Sequence, residues 1–150
     1  DGMMADPVIA ELGADALAGN MVATTPTSDE DAPSYKAYAK IFTAAGGNPG
    51  APFAAQGYDA VMLLALAIQH SGGTDRAGIS RSLRLIDGPP GEVIGPGDWA
   101  KAVKLIAEKK AINYEGAAGS AEFDENGDVT GIYRKNEVGS DGMWHGTPLE

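Results

Sequence analysis

Few residues in this 150-residue chain have the types and spacing for chemistry. Asp124, Asn126 and Asp128 alternate through Phe123-Asp124-Glu125-Asn126-Gly127-Asp128, a spacing that can gather oxygen donors round a divalent cation. An EF-hand loop needs Gly at its sixth position and a bidentate Glu at its twelfth. Counted from Asp124 those positions are Val129 and Lys135, so the segment reads as a turn. His70 and His145 have no partner at a zinc-ligand spacing. No GxSxG presents a serine on a strained turn, and Gly78-Ile79-Ser80 falls inside a helical pattern. Gly91-Glu92-Val93-Ile94-Gly95 lacks the lysine and hydroxyl of a phosphate-binding loop and reads as a connector. With no cysteine, disulfides, thiolate zinc sites and cysteine nucleophiles are excluded together. The expectation is therefore no enzyme, no metal and no cofactor, and the chemistry that remains is binding.

The elements that must position a binding site follow from the apolar periodicity. Pro7 at the first turn, after Asp6 as a cap, starts a short helix that stops at Gly13, and Met21 to Thr24 reads as a buried strand ended by Thr25-Pro26. A helix from Pro33 to Ala45 carries Tyr35, Tyr38, Ile41, Phe42 and Ala45 on one stripe. From Tyr58 to Ile68 the residues are apolar nearly all round, interrupted only by Asp59, as suits a helix within a packed layer. Thr74 is expected to cap a helix over 75–86. Asp98 should cap another to about Lys110, with Trp99, Val103, Ile106 and Ala107 inward. The stretch from Tyr114 to Tyr133 reads as a glycine turn followed by a hairpin round Asp124 to Asp128, with Gly127 free to take positive φ. After Val138 a polar tail is expected to be mobile.

Composition narrows the partners. The net charge is −10, and Asp1 to Asp31 holds seven acids with no Lys or Arg, which disfavours nucleic acid and anionic membrane surfaces. No apolar run approaches the roughly 20 residues of a membrane span, and the first residues lack the basic-then-apolar pattern of a secretion signal.

Three phrases taken together resemble one family. They are Asp1-Gly2 with Asp6-Pro7, Gly19 and Val22-Ala23-Thr24-Thr25-Pro26; then Gln56-Gly57-Tyr58-Asp59-Ala60-Val61 closing at His70-Ser71-Gly72-Gly73; then AINYEGAAGSAEFDENGDVTGIY. Their order and spacing resemble the C-terminal part of the substrate-binding proteins of branched-chain amino acid ABC transporters, the type I periplasmic binding proteins. Lys109-Lys110-Ala111 stands where relatives often show a glycine.

The resemblance implies an α/β chain, helix-rich with a C-terminal β-hairpin, forming a portion of a two-lobed, doubly wound parent. It divides the chain into 1–25 as a piece of the C-terminal lobe, 26–120 as helices of the N-terminal lobe, 121–138 as a crossover hairpin and 139–150 as a tail. It implies a small-molecule ligand, amino acid or amide-like, held in a cleft and passed to a membrane permease. It also implies a periplasmic or extracellular location, with the signal peptide upstream of this chain. Asp1 would pair the ligand's amino group, because a buried ammonium needs a counter-charge. The loop from Phe53 to Gln56 would supply an apolar wall from Phe53 and an amide hydrogen bond from Gln56. Ala55 is small where relatives often carry an aromatic, which leaves the ligand open. Phe53 as core beneath the loop is the alternative. A ligand-binding sensor or receptor domain without transport is the second reading of function. The piece, lacking its other half, is expected to self-associate or to pair with that half.

Overall fold

The computed structural model describes residues 2–149. In chain order it holds helices α1 (Asp6–Leu12) and α2 (Ala14–Leu17), strand β1 (Val22–Thr27), and helices α3 (Pro33–Ala44), α4 (Ala54–Ser71) and α5 (Arg76–Leu83). Then come β2 (Glu92–Ile94), α6 (Trp99–Ala107), β3 (Ile112–Tyr114), β4 (Ile132–Val138) and β5 (Trp144–Pro148). These elements form two compact units, one from residues 2–27 and 132–149, the other from 28–131.

In the first unit β1, β4 and β5 make an antiparallel sheet in that order, with Thr24 opposite Lys135 and Asn136 opposite Gly146. Ile9, Leu17 and Val138 form its core, with Trp144 packed against them. Asn136 is buried, and its Nδ2 donates to the Thr25 hydroxyl at 3.0 Å. The chain leaves this unit after Thr27 and returns at Ile132, and those two residues are ladder partners.

Several expectations are corrected here. The tail expected to be mobile contains β5, because Gly146 gives Asn136 and Arg134 room that a Cβ would fill at 2.9 Å. The hairpin of the sheet is therefore β4–β5, while the Asp124 turn closes only a single bridge, Phe123 to Val129. Strand β1 runs on through Pro26, since it lies at the sheet edge where a missing N–H breaks no ladder. Ala5 stands at the N-cap of α1 and Asp6 lies in its first turn instead.

In the second unit β2 and β3 are parallel, joined through α6. The segment expected as a connector thus holds β2, and the residue before the strand is glycine because a Cβ at Gly91 would stand 2.6 Å from the Ile112 carbonyl oxygen. Leu63, Leu66 and Ala67 of α4 pack with Ile86, Ile94, Ala102, Leu105, Ile112, Tyr114 and Ala121 in one core. α4 begins four residues earlier than the apolar run, and its Val61, Leu64 and Ile68 stay exposed, so it is not covered on every side. Asp75, not Thr74, caps α5, accepting from the Gly78 N–H at 2.8 Å. Trp99, expected inward, is 41% exposed, and Ala102 and Leu105 are the buried face of α6.

The Asp124 turn explains itself without a cation. Asp124 Oδ1 accepts from the backbone N–H groups of Asn126, Gly127 and Asp128 at 2.8–2.9 Å, and these bonds hold its carboxyl below the usual carboxylate range. Among the described residues no group of three or more His, Cys, Asp or Glu is placed to hold a metal. Asp124→Ala should lower the melting midpoint by about 5 °C or less, and Asp128→Ala by less still. Millimolar calcium should move neither variant nor wild type in a thermal melt, and a rise reversed by chelation would contradict the turn.

Candidate functional site

Because β2 and β3 are parallel, their carboxyl ends, Ile94 and Tyr114, lie side by side, and the Glu115 N–H donates to the Ile94 carbonyl at 2.9 Å. Open α/β sheets place ligands outside this edge. Two loops leave it. After β2, Gly95 to Asp98 turns into α6, with the Gly95 N–H donating to Asp98 Oδ2 at 3.1 Å. After β3 the chain folds back through Gly116 to Gly119, closed by the Gly116 N–H on the Gly119 carbonyl at 2.9 Å and by a bridge from Glu115 to Ser120.

The first turns of α4 come to the same edge. Asp59 is buried, and its carboxylate collects three donors: the Tyr114 hydroxyl and the Ala117 N–H on Oδ1, both at 2.8 Å, and the Ala118 N–H on Oδ2 at 2.7 Å. Burial pushes its pKa up, and the Ala118 amide, the Ala117 amide and the Tyr114 hydroxyl oppose that rise. The same burial, reinforced by the Asp59 charge, raises Tyr114, which stays protonated as a donor. A Cβ at Gly116 would fall on this carboxylate, 2.6 Å from Cγ, so only glycine fits there.

Beside the carboxylate lies an aromatic cluster. The Tyr38 ring is fully buried, with Tyr58 at 5.1 Å, Phe42 at 5.0 Å and Tyr35 at 5.7 Å between centroids. Ala55, Ala117 and Ala118 complete it. The Tyr38 hydroxyl is buried and has no hydrogen-bond partner among the described residues, and burial raises its pKa.

Three of the four residues expected to bind ligand lie together at the start of α4. Phe53 is 45% exposed, which removes the alternative that it is core beneath the loop. It is also held at φ 62, left-handed backbone that a bulky side chain rarely adopts and that costs about 1–3 kcal/mol. Ala55 is buried against the aromatic cluster, and Gln56 is half-buried. Asp1 lies outside the described residues. A depression of about 400 Å³ lined by Ser120, Glu122, Phe123, Asp124 and Thr130 takes in none of Phe53, Ala55 or Gln56. Sequence reasoning missed the Asp59 cluster. Its one signal was a charged residue in an otherwise apolar helix.

A parallel strand pair with two glycine-bearing loops at its carboxyl edge is an α/β arrangement of the kind that places ligands at that edge. The chain belongs to the receptor family ligand binding region, whose family model matches residues 1–134. Among its relatives, the chemotactic signal transduction system substrate-binding protein BasB of Halobacterium salinarum is 32% identical over 75 residues, half of this chain and 18% of that protein. The leucine binding protein LivK of Thermotoga maritima matches in structure with a TM-score of 0.60 at 26% identity, over 98% of this chain and 35% of its own. The chain thus spans about a third or less of the relatives it matches, and its fold is a portion of the type I periplasmic binding protein fold.

Gly116→Ala should destabilise by about 2–3 kcal/mol in denaturant unfolding, because the carboxylate it strikes is pinned by three bonds and cannot retreat. The Asp59 carboxyl should titrate above the ordinary value of 3.8 when followed by NMR. The native state then holds the proton more tightly than the unfolded chain. The stabilisation this gives is fully present below the ordinary carboxylate range and is lost as pH rises through the native titration.

Proposed function

We propose that this chain is the C-terminal part of an extracytoplasmic solute-binding protein of an ABC transporter. It would help to capture a branched-chain amino acid, an amide or a related small organic molecule and deliver it to a membrane permease. In this reading residues 28–131 belong to the N-terminal lobe, and 2–27 with 132–149 to the C-terminal lobe. The observation that carries it is Phe53: an exposed aromatic kept in strained backbone, at the loop edge where α/β sheets take ligands. Gln56 supplies an amide one turn further on. Family membership, and the leucine named for the Thermotoga protein, support a small organic ligand. Among the described residues no helix is long and apolar enough to cross a membrane.

A second reading is a sensor that presents the ligand to a signal transducer. The name of the halobacterial relative, from a chemotactic signal transduction system, favours it. Gene neighbours separate the two: a permease and an ATPase point to transport, a transducer to sensing.

The test uses the two-lobed protein carrying this chain, titrated calorimetrically with leucine, isoleucine, valine and small amides. One of these should bind at one per protein, and Phe53→Ala should weaken it about tenfold or more through lost apolar contact. Asp1→Asn should cost about 2–5 kcal/mol if the ligand carries an ammonium, and a loss below threefold would remove Asp1 from the site. No binding across the panel would overturn the proposal.

We also propose that the isolated 150-residue chain associates with itself or with its missing half, since Val61, Leu64 and Ile68 leave an apolar stripe of α4 exposed. Sedimentation equilibrium of the isolated chain at micromolar concentration should give a mass above 15.4 kDa. A well-folded monomer would contradict this.

A further inference from the structure

We propose that Asp59 is a positioning residue for the ligand, acting through the turn after β3. This rests on the binding function proposed above. Its carboxylate fastens the turn to the first turns of α4, so that the loop bearing Phe53 and Gln56 and the turn at the end of β3 form one fixed surface.

Three observations carry it. First, Asp59 is buried and its three donors all come from one short segment, Tyr114, Ala117 and Ala118. Among the described residues no Lys, Arg or His forms an ion pair with it. A charge placed there for stability alone is poorly chosen, because taking a carboxylate out of water carries a desolvation cost that an apolar side chain does not. What the carboxylate does, and an apolar side chain cannot, is fix where two backbone amides point.

Second, beside the packing of Ala117 and Ala118 in the cluster with Ala55 and Tyr58, it is the Asp59 bonds that tie the turn to α4. Its own closure is the reciprocal pair between Gly116 and Gly119, at 2.9 and 3.3 Å, and the Glu115 to Ser120 bridge, all internal to the segment. Gly116 brings its backbone so close to Asp59 that no Cβ fits between. Third, the loop that bears Phe53 is coupled to the same point. Ala55, two residues after Phe53, packs in one cluster with Ala117 and Ala118, and the Gly57 N–H donates to the Phe53 carbonyl at 2.8 Å. A shift of the turn would remove the support beneath Ala55 and free Phe53 to leave its left-handed conformation. Binding residues held to a fraction of an ångström by such supporting bonds lose affinity when the support is cut, with no ligand contact altered.

Asp59→Asn keeps one oxygen for Tyr114 and Ala117 but sets its amide –NH2 against the Ala118 N–H. Tyr114→Phe removes one donor and keeps both amide bonds. Each is made in the two-lobed protein, and calorimetric titration with L-leucine, or the panel member that binds wild type, is run well below the variant's melting midpoint. Asp59→Asn should raise Kd about tenfold or more at unchanged stoichiometry, and Tyr114→Phe about threefold. Amide hydrogen exchange at Ala117 and Ala118 should quicken in Asp59→Asn while the α6 amides keep their wild-type rates. A purely structural role would instead lower the stoichiometry and leave Kd as in wild type, and that result overturns the inference. If Asp59→Asn does not fold, Tyr114→Phe decides: a wild-type Kd refutes the positioning role. A wild type that binds no panel member overturns the binding function and this inference with it, whereas wild-type binding with an unaltered Asp59→Asn Kd overturns the inference alone.

Discussion

A carboxylate buried with no cation to pair it among the described residues sets the terms for the second unit. Asp59 can stay there only because two backbone N–H groups and a phenol are delivered to it, and each constrains the chain that carries it. Tyr114 must be the last residue of β3, placing its hydroxyl under α4. Gly116 must be glycine, because its backbone passes within a methyl group's reach of the carboxylate. Ala117 and Ala118 must be small enough for their amides to approach a helix already crowded by Tyr38 and Tyr58. The phrase from Tyr114 to Ala118 is thus spelled by one acceptor lying more than fifty residues earlier in the chain.

That separation explains what was legible in the sequence. α4 was readable because ten apolar residues from Tyr58 to Ile68 leave few alternatives, and Asp59 was visible as the lone interruption. Its purpose was not, since no local pattern says which amides a carboxylate will receive. The three-residue strands β2 and β3 are too short to show alternation, and Gly91, Gly95 and the prolines beside them resemble a connector. β5 was hidden for a related reason. Trp144-His145-Gly146-Thr147-Pro148 has a glycine and a proline where strands avoid them, yet Gly146 is what lets the strand lie against Arg134 and Asn136. The family resemblance, spread over three separated phrases, survived these local errors because it did not depend on any single element.

Among the described residues two non-glycine residues, Phe53 and Lys109, take left-handed backbone, for different reasons. Lys109, at φ 57, follows the end of α6, with the Lys110 N–H bonded to the Leu105 carbonyl and the Lys109 N–H to Ile106. This is the ordinary geometry of a helix C-terminus, where glycine is usual and a lysine costs a little and gains from the negative helix end. Phe53, at φ 62, precedes a helix, where no such convention applies and the natural N-cap residues are small and polar. The same dihedral therefore needs no special explanation at Lys109 and does at Phe53.

At Ala55 the size of the side chain has a packing reason. Its small size, where relatives often carry an aromatic, leaves the identity of the ligand open in the sequence. Ala55 is buried against Tyr38 and Ala117, and the exposed aromatic nearby is Phe53, two positions earlier. A large side chain at 55 would have to displace either the Tyr38 ring or the turn that Asp59 holds, and both are fixed by other contacts. The size of residue 55 is thus coupled to the presence of Ala117 and Ala118 opposite it. Substituting at 55 alone therefore tests packing.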